Sequence, residues 1–276
     1  MKFLSKFYIG LIFLILYAPI LVVILFSFNE SGSLSQFSGF SLYWYQELFR
    51  DSEALTALKN SLVLAVLSSL LATLIGTLAA FSISRARNKY YRRVMESVSD
   101  IPMMNPDIVT GVSMMLLFVG VGTMLHLTDL LGFWTMLIAH TTFNLPYVIL
   151  SVLPKFKQMD KNLTEAALDL GCTPAQTFMR VELPCILPGI VSGLMMSFTL
   201  SLDDFVISHF VSSPDFKTLP LYIYNQTAHE VKFSMYALCT LMIVAILALL
   251  IAVNLAGSAG DRTAKRPRRA TGGGKR

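Results

Sequence analysis

Long runs of apolar residues dominate this sequence, and polar residues collect between them. Two of the runs, 7–28 and 62–83, contain no charged residue. A helix needs about 20 mostly apolar residues to cross a hydrocarbon core about 30 Å thick. Four further segments reach or approach this length: 94–121, 132–153, 186–211 and 233–256. The first of these is broken by Glu96, Asp100 and the triplet 105–107, and the third contains Asp203 and Asp204. Runs this long without strict alternation are typical of transmembrane helices, so the sequence predicts an all-α integral membrane protein with six spans.

The composition agrees with a membrane protein. Hydrophobic residues make up 54% of the 276 residues and charged residues only 14%, whereas about a quarter of the residues in soluble domains are charged. These values exclude a disordered chain, a collagen-like fibre and a typical soluble enzyme. We expect no separate soluble domain beside the membrane helices.

Basic residues divide unevenly between the two sides that six alternating spans define. Of the 22 lysines and arginines, 18 fall before the first span, in the second-to-third and fourth-to-fifth loops, or in the C-terminal tail. Because positive charge is retained on the cytoplasmic side, we expect both termini to be cytoplasmic. The tail has no aromatic residue for base stacking, so contact with anionic membrane lipid is favoured over binding to nucleic acid.

Residues that usually carry catalysis or metal binding form no recognisable pattern. The three cysteines lie on cytoplasmic or membrane segments and indicate neither a disulfide framework nor a metal cluster. The four histidines are scattered without ligand spacing. The terminal GGGK lacks the spacing and the following helix of a phosphate-binding loop. We therefore expect no catalytic residue, no metal site and no cofactor bound by this chain.

The loop between the fourth and fifth spans has the signals of two short helices. Asn162 or Thr164 is placed to cap the first helix. Gly171 is placed to end it in the left-handed conformation, which glycine adopts without strain. Thr173 and Pro174 then have the residue types of an N-cap followed by a first helical position. The pattern predicts a helical hairpin between the two spans.

The same loop contains EAALDLG at 165–171 and, nine residues later, VELP at 181–184. This spacing resembles the EAA motif of binding-protein-dependent ABC importer permeases, which has EAA, three residues, G, nine residues and I-x-L-P. Val181 in place of isoleucine is the one departure. The resemblance implies a permease core of five helices at 59–256, with an additional N-terminal helix and outer loop at 1–58. The tail, 257–276, is expected to be disordered.

In that family the loop, here 155–184, forms a coupling helix that docks on the ATP-hydrolysing subunit. The resemblance therefore places ATP and magnesium on a partner ATPase and not on this chain. It assigns the coupling contacts to six residues: Glu165, Ala166, Ala167, Gly171, Leu183 and Pro184.

Acidic residues inside predicted spans form a second group of candidates. A carboxylate in a membrane is costly, and it usually faces a cavity or a partner. We predict a cation pathway lined by Asp100, Asp107, Asp203 and Asp204. Asp100 and Asp107 are seven residues apart and would share a face of one continuous helix. The alternative is that these acids cap helices, and Glu96, near Arg92, is expected to form an ion pair at the interface.

Three segments, MMNPDIVTGVSMMLLF, SFTLSLDDFVISHFVSSP and TLPLYIYN, resemble the second permease subunit of spermidine/putrescine importers. The resemblance implies a bacterial inner-membrane permease that works with a homologous permease, an ATPase dimer and an extracytoplasmic polyamine-binding protein. Aromatic residues could supply cation–π surface to ammonium groups, although most would serve as anchors or packing. Two alternatives stay open: an ABC permease for another small cationic solute, and a secondary transporter without an ATPase.

Overall fold

The structure is a computed structural model that describes residues 2–32, 36–127, 130–228 and 232–264. Its α-helices, numbered along the chain, are α1 (Lys2–Ser27), α2 (Tyr43–Arg50), α3 (Ser52–Arg85), α4 (Lys89–Met104), α5 (Asp107–Met124), α6 (Phe133–Gln158), α7 (Lys161–Asp169), α8 (Pro174–Thr177), α9 (Leu183–Asp203), α10 (Val206–Val211), α11 (Leu219–Thr227) and α12 (Ser234–Ala264). A π-helical turn, Phe178–Glu182, joins α8 to α9. Pairing of β type within these ranges is limited to two isolated bridges.

Five helical segments within these ranges are long and apolar enough to cross a membrane. They are Lys6–Ser27, Ser52–Arg85, Asp107–Met124, Phe133–Gln158 and Pro174–Asp203. The sixth predicted span, 233–256, falls on α12, whose described apolar stretch, Ser234–Ala248, is shorter. The helical, multi-pass membrane architecture predicted from the sequence is therefore confirmed. Beyond Ala264 the basic tail lies outside the described residues.

Two predicted spans are wrong as single helices. The segment 94–121 is divided between α4 and α5, because Asn105 and Pro106 both adopt extended ψ angles of 135°. A residue before proline is disfavoured in the helical region, which explains the break at this point. The segment 186–211 is likewise divided, since α9 ends at Asp203 and Asp204 has an extended ψ of 121°.

One compact unit consists of Met1–Arg50 together with Lys232–Arg276. In this unit α1 packs against α12, and α2 also contacts α12. The Trp44 ring lies 5.4 Å from the Phe233 ring, and its Nε1 donates a hydrogen bond of 2.8 Å to the Asn29 carbonyl. These contacts fix the loop between α1 and α2 to the beginning of α12.

The second compact unit, Asp51–Val231, is built on α3, α6 and α9, which all pack against one another. Glycines allow the backbones of these helices to come close to one another. A Cβ atom on Gly76 would lie 2.8 Å from Val148 Cγ1, and one on Gly189 would lie 2.9 Å from the Ser151 carbonyl oxygen. Ala72, Ala80, Val152 and Ile186 fill the same three-helix core and are buried. Small residues at helix contacts are a common basis of packing in membranes.

We expect Gly189→Ala to destabilise the protein by about 1–3 kcal/mol, which is typical for overpacking. The added methyl group would clash with Lys155 Cγ at 2.6 Å and with backbone that cannot yield easily. Thermal unfolding of the purified protein in detergent would show this as a lowered Tm. Gly120→Ala is the matched control, because a Cβ there meets nothing within 4 Å. Equal Tm values for the two variants would contradict the close α6–α9 contact.

Candidate functional site

The EAA segment folds as the predicted pair of short helices. Gly171, two residues after α7, has φ +84°, so the first short helix is followed by a residue in the left-handed region, as predicted. The Thr173 hydroxyl accepts a hydrogen bond from Gln176 N and the Gln176 side chain accepts from Thr173 N, so the predicted N-cap is confirmed as a capping box. The cap of α7 is different, because Asp160 and neither Asn162 nor Thr164 fills it. Asp160 Oδ1 accepts from Asn162 N at 3.0 Å.

The motif residues divide between the surface and the interior. Ala167 is buried, whereas Glu165 and Ala166 are exposed on α7. Leu183 is half-buried and Pro184 is exposed where α9 begins. Ala167 is thus covered by other parts of the chain, while Glu165 and Ala166 remain available to a partner.

Large apolar side chains surround this exposed side. Leu170 is 86% exposed, and the same segment exposes Leu163, Leu168 and Met179. Leu170 points outward although it is apolar, whereas Ala167 on the same helical segment is buried. Contiguous exposed apolar surface next to charged residues is typical of a protein interface.

Glu182, within the VELP part of the motif, is the buried charged residue that the sequence analysis missed. Its side chain is 0% exposed, and its Oε1 accepts hydrogen bonds from Arg85 at the end of α3 and from Thr164 Oγ1 on α7, the latter at 3.1 Å. Removing one partner of a buried ion pair typically costs about 3–5 kcal/mol. The signal in the sequence was a glutamate among apolar residues at the beginning of a span, but its partner is 97 residues away.

The predicted pathway acids do not lie on one continuous helix. Asp100 is exposed on α4, while Asp107 is the first residue of α5, beyond the break at Pro106. Asp100 and Asp107 would share a face only on one continuous helix, and the break at Pro106 shows that this condition is not met.

Asp203 and Asp204 have different environments although they are adjacent. Asp203 is exposed at the end of α9. The Asp204 side chain is 7% exposed and caps α10, accepting from Ile207 N at 3.2 Å and from Ser208 N at 2.8 Å. The capping alternative therefore describes Asp204.

A buried polar network continues from this cap. His140, in the middle of an apolar helix, is fully buried with Nε2 3.4 Å from Asp204 Oδ2 and Nδ1 2.8 Å from Ser201 Oγ. Ser201 Oγ in turn lies 2.9 Å from Ser68 Oγ on α3. Sequence reasoning treated His140 as one of four scattered histidines. These contacts connect α3, α6 and α9 at the level where α9 ends.

Glu96 forms the interfacial ion pair that was predicted. Its Oε1 lies 3.8 Å from Arg92 Nε on the same helix and 2.9 Å from Lys157 Nζ near the end of α6. The Lys157 contact was not predicted. It fastens α4 to α6 at the end of the unit that also carries Arg85 and Glu182.

At the other end of the same unit, α11 is fastened to the beginning of α3. The Tyr222 hydroxyl donates a hydrogen bond of 2.7 Å to Asp51 Oδ2, and Leu219 N donates one of 2.7 Å to Ser61 Oγ. Burial, together with the hydrogen bond to Asp51, raises the pKa of the Tyr222 hydroxyl far above its usual value. Tyr222 therefore serves as a permanent donor and a packing residue, not as an open cation–π surface.

Titratable side chains in the described ranges do not gather in a group suited to a metal ion. The arrangement offers two other things. One is the segment 160–184, which exposes several large apolar side chains and is connected to α3 by the contact between the buried Glu182 and Arg85. The other is a set of exposed carboxylates, Asp100, Asp107 and Asp203, on three helices of the same unit.

Comparison with known proteins identifies relatives over most of the chain. The chain is 36% identical over 234 residues to the putrescine transport system permease protein PotI of Escherichia coli K12, covering 85% of this chain and 83% of the relative. It is 37% identical over 253 residues to the spermidine/putrescine transport system permease protein PotC of Haemophilus influenzae, covering 92% and 96%.

Solved structures show the same fold at lower identity. A bacterial ABC transporter that imports the acidic polysaccharide alginate contains a chain with a TM-score of 0.74, 18% identity and 95% coverage of both chains. The MetNI methionine ABC transporter contains one with a TM-score of 0.59 and 19% identity, covering 82% of this chain and all of that one.

A family profile matches residues 72–259, which include α6 to α11 and thus the whole EAA segment. Together with the relatives, this match shows that the chain belongs to the family of binding-protein-dependent transport system inner membrane components.

Proposed function

We propose that this chain is a permease subunit of an ATP-driven polyamine importer, in which it forms half of the translocation pore. The observation that supports this most directly is the pair of relatives with 36% and 37% identity, both permeases named for putrescine or for spermidine and putrescine transport. The solved relatives of lower identity support the fold alone. The chain itself carries out no bond chemistry.

The proposed assembly contains a homologous permease, two ATPase subunits and an extracytoplasmic polyamine-binding protein. Membership in the family of binding-protein-dependent transport system inner membrane components supports this kind of organisation. ATP and magnesium belong to the ATPase subunits. We place both termini of this chain in the cytoplasm of a bacterial cell and its helices in the inner membrane, in keeping with the distribution of basic residues.

In this proposal the permease core is 59–256 and the coupling loop is 155–184. The exposed apolar side chains of the loop fit a groove of the ATPase subunit, and Glu165 and Gly171 set its charge and its turn. Nucleotide binding would move the two coupling loops of the assembly and change the access of the pore. The N-terminal helix and outer loop, 1–58, lie outside this core, and the tail, 257–276, follows it.

The cargo is proposed to pass exposed carboxylates. Asp100, Asp107 and Asp203 present negative charge on α4, α5 and α9. Carboxylates in a region of low dielectric attract ammonium groups more strongly than they do in water. Asp204 belongs to the same acidic pair, but its buried oxygens are occupied by the α10 cap. Its contribution to the pathway would be a negative potential without direct contact.

We expect Asp107→Asn and Asp203→Asn each to lower the initial rate of putrescine uptake about tenfold, which corresponds to about 1.4 kcal/mol. Each change removes charge and keeps the size of the side chain. The measurement is uptake of labelled putrescine and spermidine by cells that lack other polyamine importers, normalised to the amount of permease in the membrane. Glu47→Gln is the control, an exposed acid on α2 outside the core.

Uptake at the wild-type rate in both aspartate variants would contradict the acidic pathway. Competition by unlabelled solutes separates the cargo alternatives in the same assay. If another small cation competed more strongly than putrescine and spermidine, the polyamine assignment would be wrong while the importer assignment would stand. Uptake that continues without any ATPase partner would instead favour a secondary transporter.

We expect Glu165→Ala to weaken retention of the ATPase subunit on the tagged permease, since it removes an exposed charge from the proposed docking surface without opening a cavity. The permease alone should keep its Tm. Asp169→Ala, four residues later at the end of the same helix and also exposed, is the matched control. The measurement is the amount of ATPase that copurifies with each variant. Equal retention for Glu165→Ala and wild type would argue against Glu165 as a docking residue.

A further inference from the structure

A single buried carboxylate, itself at the beginning of α9, contacts two further elements that the proposed transport cycle must move together with it. Glu182 closes the π-helical turn before α9, Arg85 ends α3, and Thr164 lies in α7. Both side chains donate to the same oxygen, Glu182 Oε1. The coupling segment is therefore joined to the ends of two membrane helices by one charged group.

The burial of Glu182 makes this joint hard to break. Its side chain is 0% exposed, whereas Arg85 is 51% exposed and can reach it from the surface. A carboxylate without a partner in such a site would carry a large desolvation penalty. The contact with Arg85 should therefore persist while the surrounding helices move.

Aromatic packing holds Arg85 in place. Its guanidinium carbon lies 5.3 Å from the centre of the Phe81 ring, one turn earlier on α3. The Phe81 ring is 5.1 Å from the Phe178 ring at the beginning of the π-helical turn, and 5.9 Å from the Phe156 ring on α6. Cation–π and edge-to-face contacts thus support the ion pair from α3, α6 and the turn.

The π-helical turn gives Glu182 its direction. Leu183 N donates to the Phe178 carbonyl, a step of five residues in place of four. One additional residue in a helical turn rotates the following side chains by about 100°. Such turns are rare and often occur at functional positions. Here the turn directs Glu182 to the interior while Met179 and Pro184 remain exposed.

We propose that Glu182, Arg85 and Thr164 form a transmission joint that makes α7 move as one rigid body with the ends of α3 and α9. Glu182 acts as a positioning residue, which passes the displacement of the coupling segment to the pore helices. This inference rests on the proposed function for its role in transport. The rigidity of the joint itself does not depend on the cargo.

The rigidity can be measured by the distance between two spin labels on the full chain. Asp169 at the end of α7 and Ser82 on α3 are both exposed and suit labelling in a background where Cys172, Cys185 and Cys239 are replaced by serine. In nanodiscs, with and without the ATPase and ATP, we expect a narrow distribution whose centre does not change. Glu182→Gln should broaden it roughly twofold, because the charge that holds Arg85 is lost.

Thr164→Val tests the link to α7 with less risk to folding, and Thr164→Ser should restore the wild-type distribution. Thr142→Val is the control, since Thr142 is exposed on α6 and donates only to the Ile138 carbonyl of its own helix. In the reconstituted transporter we expect solute uptake per ATP hydrolysed to fall about 2- to 30-fold in Thr164→Val, the range reported for coupling residues. ATPase retention should not change.

Narrow distributions in both Glu182→Gln and Thr164→Val would overturn the joint, whatever the cargo. A distribution in the wild type that shifts on ATP binding would overturn it too, because the coupling segment would then move relative to α3. A wild-type transporter that shows a rigid joint and no polyamine uptake would overturn the proposed cargo and leave the joint in place.

Discussion

Close approach of three helix backbones is the constraint on which the rest of this structure depends. Lipid tails are as apolar as the side chains, so the hydrophobic effect does not drive helices together in a membrane. They associate through close van der Waals packing and polar contacts. Gly76 and Gly189 leave room for side chains of α6, and Gly193 does the same opposite Ser151. With α3, α6 and α9 this close, the short side chain of Ser201 can reach both Ser68 and His140.

The same packing fixes both ends of the three-helix core. At the end where α9 stops, His140 and the Asp204 cap connect the core to α10. At the opposite end, Glu182 connects it to α7 through Thr164. A buried polar group is costly unless it has partners. Asp204 accepts hydrogen bonds at both of its carboxylate oxygens, and Glu182 accepts two at Oε1. The two ends of the unit therefore share one packed core through which a displacement can be transmitted.

Much of this architecture was predictable because its signals are local. Neighbouring residues are enough to identify the apolar runs, the left-handed turn at Gly171 and the helix cap at Thr173 and Pro174. The structure contains each of these features. The EAA spacing identified the family, because its positions are fixed within one loop. The break between α4 and α5 has a local signal as well, because Pro106 follows Asn105 and the backbone is extended at both residues.

Contacts between distant residues could not be predicted from the sequence. Arg85 and Glu182 are 97 positions apart, and His140 and Ser201 are 61 positions apart, so no periodic pattern connects them. The π-helical turn that directs Glu182 inward has no distinct composition. The opposite environments of Asp203 and Asp204 depend on where α9 ends, which is set by packing and not by the two residues themselves.

The central claim is that this chain serves ATP-driven import of polyamines. The most direct measurement is uptake of labelled putrescine into proteoliposomes that contain the permease pair, the ATPase and the binding protein, with ATP supplied on the ATPase side. The account predicts uptake that needs ATP and the binding protein and that stops when the ATPase lysine that contacts the phosphates is replaced. Uptake of equal rate without ATP, or ATP-dependent uptake of other solutes with none of putrescine or spermidine, would contradict it.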